Sequence, residues 1–353
     1  MEERIANPVR LYLPLLVNPQ PEIRHHASII LLSTYGERAM IHLCRLLNEP
    51  DQQIQRQARE ALQNLGAVAG LAVELQPYRG MYVECLGHLN VYIGNREIHP
   101  QDWTQFQGGR AGWRKVQGVF AYLIHCGRNG TSREELGAAV WGGPVSTISL
   151  SRTLTVLRQV LAQSEDSTFV QRALMITPDH CMLSTDVYHT DGQIFERTFN
   201  MGTYTEHAQG LAAAVPFYSS AMSLYSGPYM SSVPCSQVWS EERRDLLMNA
   251  FVIAAERLAE YAYTQRRYQQ CIAVCRRALR ADPGADDVTA WLLRAYAQQK
   301  SYGELERTYH SYLRAAAVDL KSADSQQDLA VQTYKTLGRV HAVGIWAVPA
   351  KPD

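Results

Sequence analysis

Hydrophobic residues recur at helical spacing through residues 110–162, where they predict three short helices separated by turns. The middle helix begins at Thr131-Ser132-Arg133-Glu134-Glu135, in which a hydroxyl side chain is followed three residues later by a carboxylate, as in a capping box. Gly142-Gly143-Pro144 ends that helix. The last helix carries inward-facing leucines at positions 150, 154, 157 and 161. Two successive helices of this kind are typical of a helix-turn-helix, whose second helix lies in a groove of DNA.

Strand patterns flank these helices. Before them, hydrophobic residues between Tyr82 and Ile93, followed by a Gly94-Asn95 turn, predict a small antiparallel sheet. After them, residues 169–172 and 174–178 predict a closing hairpin with Arg172 at its tip. A sheet, three helices and a hairpin in this order predict a winged helix-turn-helix.

A repeat of 31 residues marks the N-terminal region. Ile23 corresponds to Ile54 and Ala27 to Ala58, and each copy ends at a glycine, Gly36 or Gly66, suited to a helix C-terminus. The pattern resembles a pair of HEAT-type helical repeats, and a generic helical cap is the alternative. Two such units bury little surface, so we expect them to pack on the rest of the chain or on a partner.

A second repeat, of 34 residues, marks the C-terminal half. Leu258 corresponds to Leu292 and Tyr268 to Tyr302, and the run Asp282-Pro283-Gly284 predicts a turn between helical pairs. This is the tetratricopeptide period. The predicted fold is therefore mainly α and multidomain: HEAT-like helices at residues 1–78, a central α+β winged helix-turn-helix at 81–188, a TPR-like helical domain at 190–342, and a tail at 343–353.

Composition adds local rather than global information. The net charge is zero, with 34 basic and 34 acidic residues, but residues 104–162 hold seven basic side chains against two acidic ones. DNA binding needs such a local excess, because bound cations displace counterions from phosphates. The sequence contains neither an apolar run of membrane-spanning length nor a signal peptide, so we expect a cytoplasmic protein without membrane partners. Its seven scattered cysteines predict reduced thiols.

Particular motifs resemble a known family. They are Ser132-Arg133-Glu134-Glu135-Leu136 with Trp141, Leu154-Thr155-Val156-Leu157-Arg158, Leu224-Tyr225-Ser226-Gly227-Pro228-Tyr229, and Asp282-Pro283. Over residues 81–340 the chain resembles the bacterial transcriptional activator domain family, whose best-known branch is the antibiotic-regulatory-protein (SARP) type. The resemblance implies a transcriptional regulator that binds double-stranded DNA and activates its target genes. Because one copy offers only a few DNA contacts, we expect specific occupancy to need self-association on repeated half-sites or a contact with RNA polymerase, with the helical repeat domain as the source of either.

The last helix of the triplet supplies the candidate base-reading residues. With its leucines facing inward, Arg152 points outward and suits guanine, Gln159 suits adenine, and the Thr155 methyl group or Val156 suits a thymine methyl group. The predicted base-reading set is Ser149, Arg152, Thr155, Val156 and Gln159. The predicted phosphate and wing contacts are Arg110, Arg114, Lys115, Arg133, Arg158 and Arg172. The alternative for each arginine is an ordinary solvated side chain.

Other functions lack a residue pattern in this sequence. The chain contains no catalytic motif that we recognise, so we expect no enzyme and no cofactor. Cys271 and Cys275 have a spacing that can hold a metal, but buried core thiols are the preferred interpretation and no metal site is predicted. The main rival is a protein-interaction scaffold that keeps the winged-helix shape without useful DNA affinity. The N-terminal repeats are expected to receive a signal or an unknown protein partner.

Overall fold

The fold is mainly helical, as predicted, and divides into two compact units. The first unit comprises Met1–Phe195 and Ser223–Asp245, and the second comprises Glu196–Met222 and Leu246–Asp353. Both predicted N-terminal domains, 1–78 and 81–188, lie within the first unit. The computed structural model describes residues 8–35, 38–69, 80–94, 96–103, 112–162, 172–317 and 327–345.

The first unit begins with four helices that share one hydrophobic core. They are α1 (Leu13–Leu16), α2 (Pro21–Tyr35), α3 (Arg38–Leu46) and α4 (Gln52–Ala69). Helix α4 packs against the three others, and Leu43 and Leu62 are fully buried between them. The sequence placed a helix end at Gly66, and this is wrong: α4 continues to Ala69, because glycine in a helix costs only about 1 kcal/mol, and packing readily offsets that. Gly36 lies outside the described residues.

These helices pack on the sheet that follows them. Arg45 of α3 is fully buried, and its guanidinium carbon lies 3.7 Å from the centre of the Tyr92 ring. His42 of the same helix is 1% exposed, with its ring centre 5.5 Å from that of Tyr92 and its Nε2 atom 3.7 Å from Oε1 of Glu84. A buried cation over an aromatic face is attracted by the ring quadrupole. The N-terminal helices thus belong to the same compact unit as the sheet, as the small size of their own core led us to expect.

The first sheet has four strands in the order β3-β2-β1-β7. Strands β1 (Met81–Glu84), β2 (Asn90–Ile93) and β3 (Arg96–Ile98) form the antiparallel meander that the sequence predicted. Strand β7 (Tyr188–Thr190) pairs with β1 in parallel, which local patterns did not indicate. The whole segment between β3 and β7 is therefore an insertion whose two ends meet in one sheet.

Three helices and a small second sheet make up that insertion. The helices are α5 (Trp113–Cys126), α6 (Arg133–Trp141) and α7 (Thr147–Leu161), and α5 packs against both of the others. Strands β4 (Thr131–Ser132), β5 (Leu174–Ile176) and β6 (His180–Leu183) form an antiparallel sheet in the order β4-β6-β5. Glycine is required at Gly130, because its φ is +58° and an added Cβ would lie 2.8 Å from the Cys181 carbonyl oxygen.

The closing hairpin exists, but its predicted placement is wrong. Its strands are β5 and β6, and residues 177–179 form its tip. Arg172 precedes β5 by two residues and does not lie at the tip. Pro178 and Asp179 place the tip of the hairpin, because these residue types favour a reversal of the chain more strongly than residues 172–174 do. The predicted strand at residues 169–172 falls mostly outside the described residues.

A later segment of the chain completes the first unit. Helix α8 (Asp191–Gln209) and helix α9 (Leu211–Leu224) lie mostly in the second unit, which takes Glu196–Met222, and the chain then returns to the first unit with the short helix α10 (Ser236–Trp239). Between α9 and α10, Met230 donates its backbone N–H to the Cys85 carbonyl (2.7 Å) and Ser232 accepts one from Leu89 (2.8 Å). The start of the first sheet thus packs against residues that lie about 140 positions away in sequence.

The second unit contains the 34-residue repeat in its backbone. Its helices include α11 (Glu241–Thr264, from Leu246 on), α12 (Tyr268–Ala281), α13 (Asp286–Gln298), α14 (Tyr302–Ala315) and α15 (Leu329–Ile345). The turn before α12 and the turn before α14 are alike: Arg266 and Lys300 both have φ of +57°, and a helix of 14 residues begins two residues after each of them. Cys271 and Cys275 are fully buried in α12, which fits core thiols. Among the described helices, none has the length and apolar character that a membrane crossing needs.

Asp191, at the start of α8, supplies the first testable prediction. Its fully buried carboxylate accepts the backbone N–H groups of Cys85 (2.7 Å) and Leu86 (3.2 Å) and the Cys85 thiol (3.0 Å). Asp191→Ala leaves two buried N–H groups without this acceptor, so we expect a loss of about 3 kcal/mol in the free energy of unfolding.

The measurement is the urea midpoint followed by tryptophan fluorescence, with Asp186→Ala as the matched control. Asp186 is exposed, so its replacement is expected to change stability by less than about 0.5 kcal/mol. Equal stability of the two variants would contradict the role given to Asp191.

Candidate nucleic-acid interface

The start of α6 is held by a complete capping box. The Ser132 hydroxyl accepts the Glu135 N–H (3.1 Å), and the Glu135 carboxylate accepts the Ser132 N–H (3.1 Å). The Thr131 hydroxyl also donates to that carboxylate. These donors, the Ser132 N–H first, lower the pKa of Glu135 below its ordinary value. The capping box that the sequence predicted is therefore present, and it fixes the direction of α6.

The turn from α6 to α7 is equally well defined. Gly142 ends α6 in the left-handed region, with φ of +78°, and donates its N–H to the Ala138 carbonyl. Gly137 allows the chain to return closely, since an added Cβ there would lie 2.5 Å from Cγ1 of Val145. Ser146 then caps α7 by accepting the Ser149 N–H at 3.2 Å. The position of α7 thus follows from two caps and one glycine contact.

The buried side of α7 is wider than its leucine seam. Its seven buried residues are Leu150, Thr153, Leu154, Val156, Leu157, Val160 and Leu161. At 100° per residue they cover about 160° of the helix, against about 60° for the leucines alone. The additional residues extend the buried arc toward Val156, which is only 9% exposed. The prediction that Val156 points outward is therefore wrong, because the leucines mark one edge of the buried arc and not its centre.

The opposite side of α7 is a straight line of exposed side chains, which we call the exposed stripe. Its members, at intervals of four, three and four residues, are Ile148, Arg152, Thr155 and Gln159. They lie within about 60° of one another. Arg152 forms no hydrogen bond or ion pair with any residue that the structure describes, so its guanidinium is available to a ligand. Three of the predicted base-reading residues thus share one face, together with Ile148, which the sequence analysis did not select.

Ser149 and Arg158 are exposed but lie to the sides of the stripe. The Ser149 hydroxyl accepts a hydrogen bond from the Ser146 hydroxyl at 2.9 Å, so it takes part in the N-terminal cap of α7. Arg158 has no partner among the described residues and projects from the flank of the helix. Such a position suits a phosphate better than a base edge.

Two of the predicted phosphate contacts have partners inside the protein. The Lys115 ammonium donates to the Val140 carbonyl (2.8 Å) and lies 5.3 Å from the centre of the Trp141 ring. It thereby supports the negative end of the α6 dipole. The Arg133 guanidinium lies beside Cys181, where burial raises the pKa of the thiol and the cation partly lowers it. The Lys115 contact joins α5 to the end of α6, and the half-buried Arg133 is placed beside β6.

The remaining predicted cations differ in their surroundings. Arg114 is exposed at the start of α5, with its guanidinium 5.4 Å from the Trp113 ring centre. Arg172 is exposed ahead of β5. Arg110 lies outside the described residues. Arg128, in the turn after α5, is a further exposed cation that the prediction did not include. The described part of the insertion thus offers exposed positive charge on several of its loops and helix ends.

Comparison with known proteins finds a family model that matches the later part of the chain. Residues 190–332 match the family model of the bacterial transcriptional activator domain. The Mycobacterium tuberculosis protein EmbR, solved in complex with a low affinity phosphopeptide, has a similar fold, with a TM-score of 0.55 and 17% identity. The similarity covers 76% of this chain and 70% of EmbR. No curated protein sequence matches the chain. The resemblance inferred from the sequence motifs is thereby confirmed at the level of this domain and of the mainly helical fold.

The capping box generates a prediction about stability and pH. Ser132→Ala removes the acceptor of the Glu135 N–H and is expected to lower the free energy of unfolding by about 1 kcal/mol. The folded pKa of Glu135 is depressed, so its contribution is present above the ordinary value of 4.5 and is lost as the pH falls through the lower, folded pKa. Glu135→Gln should therefore lose less stability than the wild type on acidification.

Urea unfolding at neutral and acidic pH measures both effects. Ser151→Ala, within α7, is the matched control and is expected to cost nothing, because alanine favours the interior of a helix. An identical acid dependence of the wild type and Glu135→Gln would contradict the prediction.

Proposed function

We propose that this chain, whose residues 190–332 form a bacterial transcriptional activator domain, is a sequence-specific DNA-binding regulator of transcription that activates its target genes. Residues 81–188 act as a winged helix-turn-helix. In this proposal α7 enters the major groove, the hairpin of β5 and β6 is the wing, and α6 braces the reading helix against the DNA backbone.

The exposed stripe of α7 is the observation that carries this proposal. It presents Arg152, Thr155 and Gln159 in line on a helix that is capped at its start and buried along its opposite side. An arginine can donate two hydrogen bonds to guanine O6 and N7, and a glutamine can pair with adenine in the same way. A rigid helix keeps such side chains at fixed spacing, which reading a base sequence requires.

Exposed cations beside the stripe supply the phosphate contacts. Arg114, Arg128 and Arg158 are exposed, and none of them forms an ion pair with a described residue. So few contacts give one copy only weak affinity, because each phosphate contact adds about 0.9 to the salt slope. Self-association on repeated half-sites, or a contact with RNA polymerase, raises the occupancy. The helical repeats of the second unit, which we interpret as TPR-like, supply the surface for these partners.

The N-terminal helices are proposed to receive the input. They are interpreted as HEAT-like repeats, and a protein partner or other signal acts through them. Because Arg45 and His42 of α3 pack against the sheet, a partner that moves α3 also disturbs the unit that carries α7. The site of action is the cytoplasm, where bacterial chromosomal DNA lies.

One set of observations favours the rival function of a protein-interaction scaffold. Lys115 and Arg133 have partners inside the protein, and the net charge of the chain is zero. A scaffold of this shape would bind specific and random DNA equally weakly, while removal of the N-terminal helices would abolish the capture of its protein partner.

Arg152→Ala tests the proposed function. The full chain selects a preferred duplex from a randomised library, and fluorescence anisotropy then measures its affinity for that duplex and for random DNA. Loss of one bidentate contact is expected to weaken specific binding about ten-fold or more. Arg158→Ala, by contrast, should weaken binding to both duplexes alike and reduce the slope of log affinity against log salt concentration by about 0.9.

The matched control is Arg280→Ala, which removes an exposed arginine from α12 in the second unit. It is expected to leave both affinities unchanged. Failure of the library to yield a preferred duplex, or equal binding by the wild type and Arg152→Ala, would reject the proposal in favour of the scaffold.

A further inference from the structure

Ile148 is the most exposed large hydrophobic side chain described in residues 112–162, with 64% of its surface accessible. It lies in the first turn of α7, between the exposed Thr147 and Ser149. The buried arc of the helix faces the other way, so none of the hydrophobic core covers Ile148. A polar residue at this position would serve the fold equally well.

The position of Ile148 in the exposed stripe suits a contact with the edge of a base. It is the first member of the line that continues with Arg152 one turn later and Thr155 after that. The N-terminal residues of a recognition helix are the ones that contact base edges in the major groove. The apolar group that those edges present is the C5-methyl group of thymine. An apolar side chain at the start of the stripe therefore has one natural contact among the four base pairs.

We propose that Ile148 determines sequence specificity by packing on the C5-methyl group of a thymine, next to the base that Arg152 reads. This inference rests on the proposed function and replaces the expectation that Val156 makes the apolar contact. Val156 is buried in the protein, whereas Ile148 is exposed on the reading face. The contact removes apolar surface of both partners from water, and its strength is that of about one methyl group.

The test combines a protein change with a DNA change that removes the same contact. Thymines of the selected duplex are replaced by deoxyuridine one position at a time, in every half-site together; deoxyuridine lacks the methyl group but keeps every hydrogen-bonding atom of the base. For the full wild-type chain, one such replacement in each half-site is expected to weaken binding about four-fold. Ile148→Ala should weaken binding to the thymine duplex by a similar factor, and the deoxyuridine replacement should then cause no further loss.

Two further variants complete the design. Ile148→Val removes only the Cδ1 methyl group and keeps both Cγ atoms, so it should retain most of the preference for thymine over deoxyuridine. Ile29→Ala, which removes a 46% exposed isoleucine from α2, should keep the full preference. Because Ile148 is exposed, thermal unfolding of Ile148→Ala is expected to match that of the wild type.

The outcomes separate this inference from the proposed function. If the Ile148→Ala and deoxyuridine losses multiply at every thymine, or if the selected duplex contains no sensitive thymine, this inference is wrong while specific DNA binding stands. If no duplex is selected at all, the proposed function fails and the inference fails with it. Wild-type affinity of Ile148→Ala for DNA would also overturn the inference.

Discussion

The buried carboxylate of Asp191 is the interaction on which the first unit depends. It joins the end of β1 to the start of α8 through the N–H groups of Cys85 and Leu86, across 106 residues of sequence. Strand β7 pairs with β1 immediately before it, so the insertion with α5, α6 and α7 begins and ends in one sheet. Burial, together with the neighbouring carboxylate, raises the pKa of the Cys85 thiol, which keeps it protonated as a donor. Without these contacts the two ends of the insertion that carries the three helices would not be held together.

Local signals then position α7 within the insertion. The capping box at Ser132 and Glu135, the left-handed Gly142 and the Ser146 cap each satisfy backbone groups that a helix end leaves open. Lys115 reinforces the end of α6 from α5. The side chains that hold the insertion together are thus distinct from those of the exposed stripe. The residues of the stripe can therefore be replaced without loss of the fold.

Short-range patterns in the sequence predicted the elements well, and long-range contacts explain what they missed. The helices, both caps of α6 and the 34-residue repeat follow from local chemistry, and the repeat reappears as two equal turns at Arg266 and Lys300. The parallel partner of β1 and the return of residues 223–245 to the first unit depend on tertiary contacts that no local pattern encodes. Val156 was misplaced because four leucines do not define the centre of a seven-residue buried arc. Local patterns also could not show that Lys115 and Arg133 contact groups inside the protein, because those contacts are tertiary.

The central claim is that α7 reads bases in the major groove through its exposed stripe. Methylation interference at guanine N7, on a duplex selected by the full chain, tests it most directly, because N7 lies in that groove and is the atom that a bidentate arginine contacts. The account predicts that methylation of one guanine in each half-site blocks binding by the wild type, and that Arg152→Ala binds the methylated and unmethylated duplexes alike. Binding that is insensitive to N7 methylation, or a sensitivity that Arg152→Ala retains in full, would contradict the account.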